Sequence, residues 1–426
     1  MDSNGVVFKD VVSGKAYPIE DRVRSDEGGL LEVSYDFDAL RECVSKELFD
    51  KRLGSRTFPY GSGVWRFREL IHPLAEDKHI VSRPEGNTNL YAHQKLKTYV
   101  GASAAAKHEG ENPTGSFKDR GMTVAITEAV RLGKRSVACA STGNTSASVA
   151  AYAAQAGLSS VVFIPDGEIA YGKLSQALAY GARALQIQGN FDDAMRLVED
   201  ASKQLGLYLL NSVNPWRIEG QKSIFFDLLQ QRRWKAPDWV VVPAGNLGNI
   251  SALGKAIYEM DELGLLDKIP RVAGVQAEGS NPFYRMIKGS EQALSAEEHP
   301  KTVATAIKIG NPVSWQKAKA VVEYTGGAVE SVSDQEIMDA KAVVDSCGIG
   351  CEPASAASVA GAKKLVDAGV ISESDEVVCV LTGNLLKDPD ATVNYHLKKL
   401  SGLSPKYSNA PVKITPNVKE VRHYLA

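Results

Sequence analysis

From about residue 135 onward, short apolar runs alternate with longer stretches patterned as helices. Nothing else in the chain constrains its fold as strongly. The runs at 136–140, 161–164, 184–187, 209–210, 239–243, 272–276 and 377–381 are rich in Val, Ile and Leu. A strand that is apolar throughout is a strand covered on both faces. Between these runs, residues 145–155, 173–180, 192–204, 219–229, 249–262, 335–346 and 353–368 carry helical patterning. Strand and helix in turn predict an α/β fold of parallel sheets clothed by helices. The first 75 residues read differently. They are charged and punctuated, as in Phe58-Pro59-Tyr60-Gly61-Ser62-Gly63, and are expected to form an irregular N-terminal extension packed on the α/β body. From about residue 403 a stretch with three prolines is expected to be a peripheral tail.

With 426 residues the chain has room for two or three domains. A net charge of −2 argues against nucleic acid or an anionic membrane surface as partner. Cys43, Cys139, Cys347, Cys351 and Cys379 are scattered and odd in number, which argues for a reducing compartment rather than a disulfide framework. Cys347 and Cys351 could share a helical face, but no His stands nearby, so structural thiols are expected and no metal site. The start, Met1-Asp2-Ser3-Asn4-Gly5, does not read as a signal or transit peptide, and no apolar run is long enough to span a membrane. A cytoplasmic location is expected.

The stretch Asn112-Pro113-Thr114-Gly115-Ser116-Phe117-Lys118-Asp119-Arg120-Gly121 places one lysine between turn formers and a helical run. A lysine amine is inert while protonated, at a reference pKa of about 10.4. Burial or a nearby cation would free it as a nucleophile for a Schiff base. The other reading is a solvated lysine in a turn. Three loops each follow a predicted strand, where α/β sheets bind ligands. Ser141-Thr142-Gly143-Asn144-Thr145 offers hydroxyls and backbone N–H groups to a carboxylate or phosphate, or serves as a simple helix cap. Gly245-Asn246-Leu247-Gly248-Asn249 can curl round a monophosphate, or be a plain turn; it matches neither a P-loop nor a dinucleotide fingerprint. Thr382, in Leu381-Thr382-Gly383-Asn384, can point its hydroxyl into a crevice or cap the turn. Arg217, in Asn211-Ser212-Val213-Asn214-Pro215-Trp216-Arg217, is either an anion fork or half of a surface ion pair with Glu219 or another acid.

Together these segments resemble the threonine synthases, pyridoxal-phosphate (PLP) enzymes of the tryptophan-synthase-β-like fold, fold type II. Gly63-Val64-Trp65-Arg66, Glu85-Gly86-Asn87-Thr88, Thr305-Ala306-Ile307-Lys308-Ile309-Gly310-Asn311-Pro312 and Cys351-Glu352-Pro353-Ala354-Ser355 complete the match, in family order from about residue 60 to 390. The resemblance implies two domains with twisted, mostly parallel sheets: a large PLP-binding domain (76–122 and 210–402) and a small mobile one (123–209), with 1–75 as extension and 403–426 as tail. It implies that Lys118 holds PLP as a Schiff base and moves protons. Asn144 would bond the cofactor's phenolic oxygen, Gly245, Asn246, Leu247, Gly248 and Asn249 its phosphate, and Thr382 its ring nitrogen. Ser141, Thr142 and Thr145 would handle the substrate's carboxylate and phosphate, and Asn211 and Arg217 its phosphate. The implied substrate is O-phospho-L-homoserine, converted to L-threonine by loss of phosphate and addition of water. A homodimer is compatible with this reading. A serine/threonine dehydratase, or a non-catalytic binding protein of the same fold, are the alternatives. Two positions depart from the family pattern: Asn89 stands where Pro is usual, and Leu385 where Gly is common.

Overall fold

The computed structural model describes residues 5–166, 171–189, 191–289 and 291–425, so the opening Met1-Asp2-Ser3-Asn4 lies outside the described residues. Among the described residues, thirteen strands form three sheets. β1 (Val6–Asp10), β2 (Ala16–Tyr17) and β3 (Leu31–Tyr35) make an antiparallel sheet in the order β2-β1-β3. β4 (Leu90–Tyr91), β5 (Ser103–His108), β10 (Trp239–Pro243), β11 (Arg271–Ala277), β12 (Ala328–Val332) and β13 (Glu376–Leu381) form a six-stranded sheet, ordered β12-β11-β10-β13-β5-β4. All its pairings are parallel except β4 with β5. β6 (Ser136–Ala140), β7 (Ser159–Pro165), β8 (Arg183–Ile187) and β9 (Tyr208–Leu209) form a fully parallel sheet, ordered β8-β7-β6-β9.

The alternation of side chains along a strand explains the two-sided core. Val240 and Val242 of β10 join one apolar cluster, and Trp239 and Val241 the other. The second cluster lies under the alanine-rich helix Pro353–Asp367, whose small side chains let it sit close to the sheet. The expected strands and helices form, with shifted ends. One expected helix, 219–229, is instead two, Pro215–Gln221 and Ser223–Gln231, joined at Lys222.

Two corrections concern the edges. β8 was expected to be covered on both faces but is an edge strand with Leu185 exposed. The first 75 residues are not irregular, since they hold the antiparallel sheet and short helices whose apolar side chains Phe8, Val33, Phe49 and Trp65 belong to the main core. The tail is largely exposed beyond residue 408 and ends in the helix Val418–Leu425.

Candidate active site

The chain leaves β10 towards β11 and β12 on one side and returns on the other as β13. The loops after the adjacent strands β10 and β13 thus lead to different parts of the chain, the kind of position at which α/β folds take ligands. Gly245–Asn249 follows β10, and Thr382 follows β13. β5 lies beside β13, with His108 opposite Leu381. The lysine loop that leaves β5 is zipped onto the Thr382 loop: Phe117 N–H donates to the Thr382 carbonyl (3.0 Å) and Asn384 N–H to that of Gly115 (2.9 Å).

Gly115 turns the chain just before the lysine, with φ of 84°, a conformation that a side chain would strain. Lys118 is then the first residue of the helix Lys118–Arg131. Its Nζ has no hydrogen-bond partner among the described residues and lies 4.2 Å from the centre of the Phe117 ring. Desolvation, and then the Arg217 guanidinium, bring its pKa down to about 7, against a smaller upward pull from Glu352. Lys118 is thus half-buried at a helix start and not fully solvated in a turn.

The loop after β10 is an anion cradle. Leu247 adopts a left-handed conformation, φ 65°, at a cost of about 1–2 kcal/mol. A left-handed residue beside right-handed neighbours aims successive N–H groups at one point. The N–H groups of Gly245, Asn246, Leu247, Gly248 and Asn249 find no acceptor among the described residues. They sit at the start of the helix Gly248–Glu262, whose dipole favours an anion. The side chains of this loop build it rather than line it. Asn246 accepts from Val313 N–H (2.7 Å) and donates to the Ser212 hydroxyl, and Asn249 donates to the Pro243 carbonyl (2.6 Å).

At the end of β13, the hydroxyls of Thr382 and Ser355 lie 3.0 Å apart, and Gly383 N–H donates to Ser355 Oγ (2.8 Å). Asn144 opens the helix Asn144–Gln155. Its amide nitrogen donates to both oxygens of Glu352 (2.9 and 3.2 Å), while its buried Oδ1 has no partner. The N–H groups of Thr142, Asn144 and Thr145 have no acceptor among the described residues, and Ser141, Thr142 and Thr145 are half-buried. Ser141 Oγ accepts from Gly143 N–H (3.1 Å).

Arg217 is buried, and its alternative role as an ion-pair partner of Glu219 is excluded. Its Nη1 donates to the Leu210 carbonyl (2.9 Å), Nε has no partner, and no carboxylate pairs with it among the described residues. Desolvation draws its pKa down to about 10. Glu219 turns the other way, towards Tyr35, Lys222 and Lys255. Asn211 is placed differently from expectation. Its amide accepts from Ala140 N–H (3.0 Å), donates to the Ala140 carbonyl (3.0 Å) and contacts Met195 Sδ. With both ends engaged it has little left to offer a phosphate.

Glu352, Ser355 and Asp119 were not singled out from the sequence. Glu352 and Ser355 stand inside a family segment, but their contacts to Asn144 and Thr382 cross 208 and 27 residues. Asp119, whose pKa burial raises to about 6, accepts from Thr114 N–H and Oγ1 (2.6 Å each) and from Ser148 Oγ (2.6 Å). It thereby ties the lysine loop to the Asn144 helix. Of the two departures, Asn89 donates its backbone N–H to Glu111 (2.6 Å), a bond that proline cannot make, and Leu385 opens a short 3₁₀ turn against Gly350.

These residues fit PLP: a monophosphate cradle with open donors, an unpaired amine of low pKa, and a hydroxyl pair at a strand end. Comparison with known proteins agrees. Residues 81–383 match the family model described as pyridoxal-phosphate dependent enzyme. The chain is 43% identical to a threonine synthase of Methanocaldococcus jannaschii over 97% of both chains. It is 48% identical to one of Methanosarcina acetivorans, over 86% of this chain and 88% of that one. Among solved structures, a fungal L-serine ammonia-lyase from Rhizomucor miehei superposes with a TM-score of 0.64 at 21% identity, over 74% of this chain and 99% of that one. At that identity the likeness shows the fold alone.

Proposed function

The chain belongs to the pyridoxal-phosphate-dependent enzyme family, and on that premise we propose that it acts as a threonine synthase, converting O-phospho-L-homoserine and water into L-threonine and inorganic phosphate. The cofactor, when bound, supplies an electron sink for charge left on the substrate's carbon atoms. Lys118 anchors it, and the N–H groups of Gly245, Asn246, Leu247, Gly248 and Asn249 hold its phosphate. Either hydroxyl of the Ser355–Thr382 pair can donate to the other, and with Ser355 as donor the Thr382 proton would be free for the ring nitrogen. A hydroxyl there leaves that nitrogen unprotonated. The Asn144 amide, held by Glu352, would meet the phenolic oxygen.

The remaining donors suit a second anion and a third. The open N–H groups of Thr142, Asn144 and Thr145, with the hydroxyls of Ser141, Thr142 and Thr145, take the substrate's carboxylate. Arg217 takes its phosphate, with Asn211 shaping the loop that leads to it. Lys118, with a pKa near neutrality, can accept a proton from the α-carbon and return one later, as efficient acid–base catalysis requires. Closure of the four-stranded layer, residues 123–209, over the substrate would keep water out until it is needed.

One observation carries the reading: Arg217 is a buried guanidinium with no carboxylate paired to it among the described residues. An unpaired buried charge costs several kcal/mol, so such a residue implies an anionic ligand. The test is phosphate and threonine release from O-phospho-L-homoserine. In Arg217→Ala, kcat/KM should fall by about two orders of magnitude while cofactor absorbance is retained. Rapid deamination of serine or threonine, with no phosphate release, would replace the proposal with a dehydratase.

A further inference from the structure

The helix that carries Arg217, Pro215–Gln221, is wholly buried and has two working faces. Arg217 and Gly220, three positions apart, share the face towards the Lys118–Arg131 helix. A Cβ on Gly121 would come within 2.7 Å of the Arg217 carbonyl, and one on Gly220 would collide with that of Arg120. Trp216 and Glu219, also three apart, occupy the other face, and the first 75 residues hold both. His72 stacks on Trp216, with ring centres 3.8 Å apart and planes inclined by 17°, and Phe8 of β1 meets it edge-on at 6.0 Å. Tyr35 of β3 gives its phenolic proton to Glu219 Oε2 (2.5 Å), the oxygen that also accepts from Lys222 Nζ (2.5 Å). Lys255 binds the other oxygen. His72 is itself fixed by Glu128 (3.0 Å), which Arg131 clasps.

This arrangement has an electrostatic effect as well as a mechanical one. Glu219 is the nearest carboxylate in sequence to Arg217. Held by a phenol and two ammonium groups, it is satisfied where it stands and does not compete with a ligand for the guanidinium. Both neighbours of Arg217 on the far face are thus fixed by the N-terminal sheet and the segment that follows it.

We propose that this sheet, with His72, is a positioning element for Arg217 and sets the enzyme's affinity for a phosphate ester. Tyr35 and His72 are its positioning residues, and neither touches substrate. The proposal rests on the reading of Arg217 as the phosphate ligand, and its test separates the two. In holoenzyme, Tyr35→Phe keeps the ring and removes the hydrogen bond to Glu219. The KM for O-phospho-L-homoserine and the inhibition constant of inorganic phosphate should rise together by about tenfold, with kcat within about twofold. In an Arg217→Ala background the same substitution should change neither constant further. Should Tyr35→Phe fold poorly, as judged by its melting temperature, His72→Gln takes the stack from Trp216, leaves Glu219 bonded and is expected to give the same split. Unchanged phosphate affinity in a folded variant overturns the proposal. So does an equal effect with and without Arg217, which would mark the contact as structural only. If Arg217→Ala alone leaves phosphate affinity intact, the assignment of Arg217 fails, and this proposal with it.

Discussion

Lys118 shows how a residue's chemistry is fixed by groups distant in sequence. Its motif is legible, because turn formers before it and helix formers after it put the amine at a helix start. What lowers its pKa is not, since burial and Arg217, 99 positions later, do most of it. With a folded pKa near 7 against about 10.4 unfolded, the unfolded chain binds the extra proton between those values. Lys118 therefore opposes folding below about pH 10, increasingly so down to about pH 7. Free amine is the reactive form. Competitive acylation of the cofactor-free protein, read by peptide mass spectrometry, should show Lys118 reacting with a midpoint near pH 7, while exposed lysines titrate near their ordinary value. Arg217→Gln should move that midpoint upward. A midpoint near 10 in the unaltered protein would mean that the amine is not desolvated. The family resemblance implied one role, that of phosphate ligand, for both Asn211 and Arg217. Only contacts could show that one amide is consumed by Ala140 and the guanidinium is not.

At the scale of elements, the site depends on how closely two helices approach. Gly121 and Gly220 let Lys118–Arg131 and Pro215–Gln221 pack backbone to backbone, which brings Arg217 next to Lys118. Gly220→Ala should destabilise the protein by about 1–3 kcal/mol, from overpacking against the Arg120 carbonyl. Urea unfolding measures this, and an unchanged midpoint would mean that the helices part without cost. Elements whose pattern is purely apolar, such as Trp239–Pro243, were legible to the residue. β5 was not, because Ser-Ala-Ala-Ala-Lys-His has neither branched residues nor alternation, and alanine favours helix. It is a strand because β13 and β4 pair with it on either side. The N-terminal sheet was missed for a related reason: its strands are short and set among charged turns.

For the molecule as a whole, one buried carboxylate joins distant parts of the chain. Asp227 receives Arg66 from the N-terminal part (2.5 Å), Lys107 from β5 (2.9 Å) and Arg120 from the lysine helix (2.7 Å). Burial alone would raise its pKa, but Lys107, Arg120 and Arg66 hold it well below the usual range. On acidification the unfolded chain takes up the proton first. The stabilisation is thus complete above about pH 4 and is lost as pH falls below it. Asp227→Asn should cost about 3–5 kcal/mol, because three cations would lose their shared partner. Thermal melting at neutral pH tests this, and a change within about 1 kcal/mol would argue that Glu109, which also binds Arg120 (2.6 Å), suffices. Asn211 has a consequence at this scale too. Its amide imitates a peptide unit, completing the edge of the sheet at Ala140 after β9 has ended at Leu209. The backbone can thereby leave the sheet after Leu210 and veer towards Arg217, so the path of that loop and the integrity of the sheet are free to vary separately.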